Sequence, residues 1–301
     1  MTWAIGSVIA LLLIYRLFTE PSRKARALSF SAMHARNSRN WTLAAKFYRR
    51  SHEFAGKLKE PRRSRMQAQI EVHWAAVLYR NGRLREAEDM LRSGLFKGEQ
   101  YFAPQSELLV QGYMCWGDLC TDEGRHSEAE GLYRKALEGD EPSDNLAGMI
   151  FDLERLSDCL LNQGRQAEAE KAIERGIALE TRHAREFAIR RGLDPDRLVL
   201  TPTSLPKLHF CRGEYDEARC LYRRQVEHWG TQAKRPDNID LGQLHMQLAL
   251  AEARSGHVDA AIEAYEGAAD AFGREWCEGH PKAVAAREAK AALCARDGGG
   301  A

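Results

Sequence analysis

Five segments of this chain align with one another without a gap: residues 81–91 (NGRLREAEDML), 123–133 (EGRHSEAEGLY), 163–173 (QGRQAEAEKAI), 212–222 (RGEYDEARCLY) and 255–265 (SGHVDAAIEAY). Each carries a glycine, an alanine five residues on (Ala87, Ala129, Ala169, Ala218, Ala261) and an apolar or aromatic residue nine on (Leu91, Tyr133, Ile173, Tyr222, Tyr265). Twelve residues after the glycine the side chain is usually small: Gly94, Ala136, Gly176 and Ala268, with Gln225 the exception. The spacings between the glycines are 42, 40, 49 and 43 residues. A unit of this length cannot bury its own apolar face, so such units are stable only when stacked.

Each position has a physical reading. The glycine ends one helix where a left-handed backbone is required. The alanine marks where two helix backbones approach too closely for a larger side chain, and the residue four further on fills the groove beside it. Upstream of the glycines lie apolar or small pairs that belong to a first helix: Trp74/Ala75, Trp116/Gly117, Leu156/Ser157 and Leu248/Ala249. A degenerate sixth unit, residues 39–51, keeps Ala44, Tyr48 and Ser51 in register and has no glycine. Pro21, Pro61, Pro104, Pro142, Pro202, Pro236 and Pro281 are expected to open first helices, because proline loses nothing in a first turn. No long alternating run of β-branched residues suggests a strand. The expected fold class is all-α, a stack of antiparallel helix pairs.

The segment GRHSEAEGLYRKAL (124–137) resembles the tetratricopeptide repeat, or TPR, family. The spacing near 42 residues, and EGHPKAVA (278–285), look like the longer repeats of kinesin light chains. That resemblance implies a right-handed superhelical solenoid over about residues 22–296, with first helices lining a groove, and a protein-binding rather than catalytic role. It implies no particular ligand. Where the kinesin-light-chain repeats hold the ligand backbone with asparagine, this chain has Val72, Met114, Glu154, Thr203 and Met246. The lysine and asparagine clamp of chaperone-binding repeats is not recognisable either.

Charge is distributed unevenly. Lys and Arg number 44 against 43 Asp and Glu, yet residues 19–65 hold 13 basic residues against 3 acidic ones, so the rest of the chain is acidic. Before that basic front, residues 1–15 (MTWAIGSVIALLLIY) carry no charge. A helix over residues 1–18 would extend about 27 Å, close to the hydrocarbon thickness of a bilayer. Trp3 and Tyr15 sit near its ends, and the positive charge follows rather than precedes it. These features predict a single membrane anchor with the N-terminus outside and the repeats in the cytoplasm. Arg23, Lys24, Arg26, Arg49, Arg50, Arg62, Arg63 and Arg65 are expected to face anionic lipid. Seven cysteines, an odd number in a chain of this length, are no disulfide framework.

The expected organisation is an anchor (1–20), a degenerate basic repeat (21–60), five repeats (61–280), a capping helix (281–296) and a short tail (297–301). The preceding spacing of 49 residues makes the unit at Gly213 irregular. Its predecessor's second helix should be extended by roughly two turns, and Pro206 should make the next first helix start late or kink. Drift within a solenoid and a hinge or docking loop both fit that irregularity.

No P-loop, GxSxG, HExxH or CxxC pair is present, so no catalytic motif, metal site or cofactor is expected. Groove-facing places fall about 13, 10, 6, 3 and 2 residues before each turn glycine. In two neighbouring units they hold Gln111, Met114, Asp118, Asp122, Glu154, Asp158 and Asn162. The four carboxylates suggest an acidic patch that would take a basic peptide. The reading is a membrane-anchored scaffold or adaptor for protein–protein interaction on the cytoplasmic face, without catalysis. An assembly or quality-control adaptor in envelope biogenesis, or an organelle import receptor, is the alternative. RNA binding through the basic front would need stacking aromatics between the basic residues. Phe30, Trp41, Phe47, Tyr48 and Phe54 lie mostly at helix-packing positions instead.

Overall fold

A computed structural model describes residues 20–192, 194, 203–231, 238–275 and 278–297. Every regular element among them is helical. Residues 1–18, where the anchor is expected, lie outside this set, as does most of the segment between residues 193 and 202. Among the described residues, no helix is long and apolar enough to cross a membrane.

The helices, in chain order, are α1 (Pro21–Asn37), α2 (Trp41–Ala55), α3 (Arg62–Arg80), α4 (Leu84–Tyr101), α5 (Glu107–Asp122), α6 (His126–Asp140), α7 (Leu146–Asn162), α8 (Gln166–Arg190), α9 (Leu205–Cys211), α10 (Tyr215–Thr231), α11 (Asn238–Arg254), α12 (Val258–Glu275) and α13 (Pro281–Asp297). They fall into two compact units, Met1–Cys115 and Trp116–Ala301, whose boundary lies within α5.

The repeat positions behave as their chemistry requires. Gly82, Gly124, Gly164, Gly213 and Gly256 all have φ between 72° and 82°. In the degenerate unit Arg39 takes that place with φ 57°. After the glycine, the next amide reaches back five residues, as from Arg125 to the Cys120 carbonyl at 2.8 Å and from Arg165 to Leu160 at 2.9 Å, closing the helix end. The arginine following the glycine then grips the glutamate three residues on. Arg83–Glu86 at 2.5 Å, Arg125–Glu128 at 2.6 Å and Arg165–Glu168 at 2.6 Å repeat this contact. The six alanines, Ala44 included, have no exposed surface. Tyr48, Leu91, Tyr133, Ile173, Tyr222 and Tyr265 are all buried beside them.

Helix starts are less regular. Proline does open α1 and α13 and caps α3. Pro104 instead precedes α5 by three residues, and Pro142 sits in a short 3-10 turn, Glu141–Ser143, before α7. Asn145 performs the capping there, accepting from the Gly148 amide. Pro202 and Pro236 lie outside the described residues. The irregular unit is as expected: α8 runs 25 residues and α9 only 7, with Pro206 in its first turn.

Each unit has a buried carboxyl. In the first, Glu71 accepts from His52 Nε2 at 2.7 Å and from Lys97 Nζ at 2.6 Å. Burial pushes its pKa up, and these hydrogen bonds outweigh that and hold it below the usual value. In the second, Asp152 is 1% exposed and its Oδ2 has no hydrogen-bond partner. Burial, reinforced by the negative charge of Asp140, raises its pKa to about 8.

Candidate functional site

In the second unit, α5, α7, α9 and α11 are first helices of successive pairs, and residues on them, with others from α6, α10, α12 and α13, line a cavity of about 420 Å³. Four of the groove residues expected from sequence line it: Asp118, Asp122, Asp158 and Asn162. Glu154 lines a smaller neighbouring cavity of about 140 Å³. Gln111 and Met114 belong to the first unit, where Gln111 is exposed and donates to Glu107 at 2.7 Å. The offset rule extends further than those seven residues. Lys207 stands six before Gly213, and Gln243, Met246 and Leu250 stand 13, 10 and six before Gly256; all four line the cavity.

Lys207 and two other cations change the character of the site. The expected acidic patch is not bare. Arg155 Nε lies 3.5 Å from Asp118, Lys207 Nζ lies 2.8 Å from Asp158 and 3.7 Å from Glu154, and Lys282 Nζ lies 3.7 Å from Asp122. Three carboxylates and three cations therefore line one cavity. Groove offsets do not reach Arg155, nine residues before its glycine and between two offsets, or Lys282 on the capping helix α13, whereas Lys207 lies at an offset of the next unit.

The polar side of the cavity is tightly organised. Tyr133 donates its hydroxyl to Asp118 at 2.9 Å, and Thr121 Oγ1 sits 3.2 Å from the same hydroxyl. Burial, with the Asp118 charge second, raises the Tyr133 pKa well above its ordinary value, so this hydroxyl keeps its proton. Burial works against the charge on Arg155, but Asp118, Glu154, Tyr133 and Asp158 outweigh it and raise its pKa. The guanidinium also packs over the Phe151 ring, 4.7 Å from its centroid. Apolar residues also line the cavity: Phe210, Tyr222, Met246, Leu250 and Phe272. Tyr133 fits because residue 117 is glycine, where a Cβ would come within 2.5 Å of its ring.

The first unit has an open cavity of about 900 Å³ with a different lining. Arg23, Arg26, Arg62 and Arg65 surround it, with Met33, Tyr48, Met66 and Ile70 among its apolar residues. Glu20 is the single carboxylate there, 3.3 Å from Arg23. Among the described residues, neither Arg26 nor Arg62 is ion-paired. The structure thus separates the eight basic residues expected at a membrane surface. Lys24 stacks over Phe54 at 5.4 Å, Arg65 over Phe102 at 5.2 Å, and Arg63 pairs with Glu60 at 2.8 Å. Arg49 and Arg50 are exposed and line no cavity described here.

Among the described residues, no group of three or more His, Cys, Asp or Glu is placed to hold a metal ion. Cys120, Cys159 and Cys211 are buried, while Cys220 and Cys294 are exposed. Cys159 is pushed up to about 11, chiefly by burial, which makes it a poor nucleophile.

No protein-family model matches this chain, and no curated protein matches it. Solved structures do. The apo form of RapI aligns over 90% of this chain and 92% of its own, with TM-score 0.63 at 14% identity. Aspartyl phosphate phosphatase F from Bacillus subtilis aligns over 94% of this chain and 74% of its own, with TM-score 0.57 at 15% identity. A Rap protein complexed with competence and sporulation factor aligns over 91% and 76%, with TM-score 0.55 at 16% identity. The chain has a TPR-like, all-helical repeat fold. At these identities the likeness is one of fold alone.

Proposed function

We propose that this chain is a protein-interaction scaffold that binds a polypeptide in the cavity of its second unit and is held at a membrane by residues 1–18. The observation that carries the binding role is the cavity itself. First helices of successive pairs line it, several of the lining residues are apolar, and Leu250 remains 42% exposed there. Concave sites with an apolar lining and a few fixed polar groups are where ligands are held. One fold neighbour is described as a complex with competence and sporulation factor, which supports a ligand-binding use of this fold without naming a ligand for this chain. Another is named a phosphatase, but 15% identity carries no activity across.

The test is site-specific photocrosslinking in the full chain. A photoreactive residue at position 250 should give a discrete adduct with a polypeptide. The same group at Phe187, which is 49% exposed on α8 and lines no cavity described here, should not. Equal labelling from both positions, or none from 250, would overturn the reading. For the membrane part, supported by the uncharged run and the basic residues after it, alkaline carbonate should leave the protein in the membrane pellet. Removal of residues 1–20 should release it. Extraction of the intact chain would sink the anchor.

A further inference from the structure

The second-unit cavity holds two buried side-chain atoms without a hydrogen-bond partner, Arg155 Nε and Gln247 Nε2, and both are donors. Both residues stand nine before their turn glycines, Gly164 and Gly256, so equivalent points on two first helices present the same unmet need. Arg155 is 9% exposed. Its nearest carboxylate oxygen, Asp118 Oδ1, already accepts the Tyr133 hydroxyl and stands 3.5 Å away, beyond good hydrogen-bond distance. Buried donors of native proteins are nearly always satisfied, so each such exception calls for an explanation. Arg155, Lys207, Gln243 and Gln247 also line the smaller neighbouring cavity, which places the two donors where the spaces adjoin.

We infer that this cavity takes an uncharged, apolar stretch of polypeptide, whose main-chain carbonyls are received by Arg155 and Gln247. This deepens the polypeptide-binding reading and rests on it. A ligand in this cavity must bring acceptors, because the unmet groups lining it are donors, while the unpartnered acceptor Gln225 Oε1 lines the smaller cavity. A basic ligand finds each lining carboxylate already beside a lysine or arginine. An acidic ligand would bring its charge beside Asp118 and Asp158, while Lys207 is engaged by Asp158 at 2.8 Å. A peptide carbonyl accepts strongly and carries no net charge, so it suits a lining whose charges balance. Its side chains meet Phe210, Tyr222, Met246, Leu250 and Phe272. The planar guanidinium offers several donors in a fixed fork, which an ammonium cannot imitate.

The experiment uses the full chain in mild detergent and three pools of end-capped hexapeptides of equal length. One pool is neutral and apolar, one carries two lysines and one carries two aspartates. The neutral pool should bind at least tenfold tighter than either charged pool, and should change less than twofold between low and high salt, because no net charge is neutralised. Arg155→Lys should weaken neutral-pool binding about tenfold while leaving the helical signal and Tm in place. Gln247→Ala should weaken it by a smaller factor. Should Arg155→Lys fail to fold, Gln247→Ala together with Leu250→Asp, at an exposed position, gives the same reading. Preference for a charged pool, unchanged binding in these variants, or binding of no pool would each overturn the inference. The crosslink from position 250 separates the outcomes. If it persists, a polypeptide still binds there and only its chemistry was misread.

Discussion

Glu71 in the first unit and Asp152 in the second meet burial in opposite ways. The first surrounds its buried carboxylate, Glu71, with partners and leaves Arg26 and Arg62 unpaired around an open cavity. The second leaves one of its buried carboxyls, Asp152, without a hydrogen-bond partner on Oδ2, while it pairs another, Glu252, with Arg223 and sets a cation beside each carboxylate lining its cavity. Burial penalises a charge in both places, and the difference is whether a partner was supplied. In the first unit Lys97 and His52 keep Glu71 ionised. In the second nothing opposes burial at Asp152, and the group holds its proton instead. The unpaired arginines of the first unit cost little, because they are solvated. The same residue type buried in the second unit, Arg155, creates a demand for a ligand.

The largest expected effect lies in the first unit. Replacing Lys97 with Met removes the cationic partner from a carboxylate that is 2% exposed. Breaking such a buried pair should cost about 3 kcal/mol, visible as a lower midpoint in urea unfolding followed by circular dichroism. A variant as stable as the parent would mean that His52 alone suffices, and the contrast between the units would weaken.

Next come the helix crossings of the second unit. Ala129 and Ala169 have no exposed surface. Leucine at either place should overpack the interface and cost roughly 1–3 kcal/mol, read as a fall in Tm. Both positions were legible in the sequence, since only a small residue recurs five after every turn glycine. The fold was readable because each requirement of it is local and repeated: a left-handed glycine, a close crossing, a filled groove. The site was only half readable. Offsets from the glycines found Asp118, Asp122, Asp158 and Asn162, and the same offsets find Lys207, Met246 and Leu250 when applied to every unit. Arg155 and Lys282 escape that rule, because one lies between groove positions and the other on a helix that belongs to no pair. Ion pairing across such elements depends on their packing, which no single repeat encodes.

A smaller effect tests the unpartnered carboxyl. Asp152 holds its proton up to about pH 8 in the fold, whereas an unfolded aspartate releases it near its ordinary value of 3.8. The folded pKa is the raised one. Its stabilising contribution is therefore full below about pH 4 and is lost as pH rises through about 8. Across that window stability falls as pH rises. Asp152→Asn should remove this slope, so that variant and parent diverge as pH rises from 5 to 8 in denaturant titrations. Parallel curves would show that Asp152 has a partner that keeps it ionised, as Glu71 has.

The smallest effect decides what the unpaired arginines of the first unit do. Arg26 and Arg62 line the same cavity as Arg23 and Arg65, while Arg50 is equally basic and lines no described cavity. If residues 19–65 rest on anionic lipid, each basic residue close to the surface contributes about 1 kcal/mol, or about fivefold in binding. A diffuse electrostatic attraction would treat Arg50 and Arg62 alike, because only distance from the surface matters within a Debye length of roughly 8 Å. A lipid phosphate seated among the four arginines would not, since bidentate contacts need a guanidinium in place. A chain lacking residues 1–18 removes the anchor from the measurement, and vesicle flotation then reads the basic front alone. Binding should appear with anionic vesicles, vanish with neutral ones and fade in high salt. Arg62→Gln should weaken it about fivefold and Arg50→Gln by less. Equal losses would assign the attraction to charge alone, and no binding to either vesicle would overturn the membrane-surface reading of the basic front.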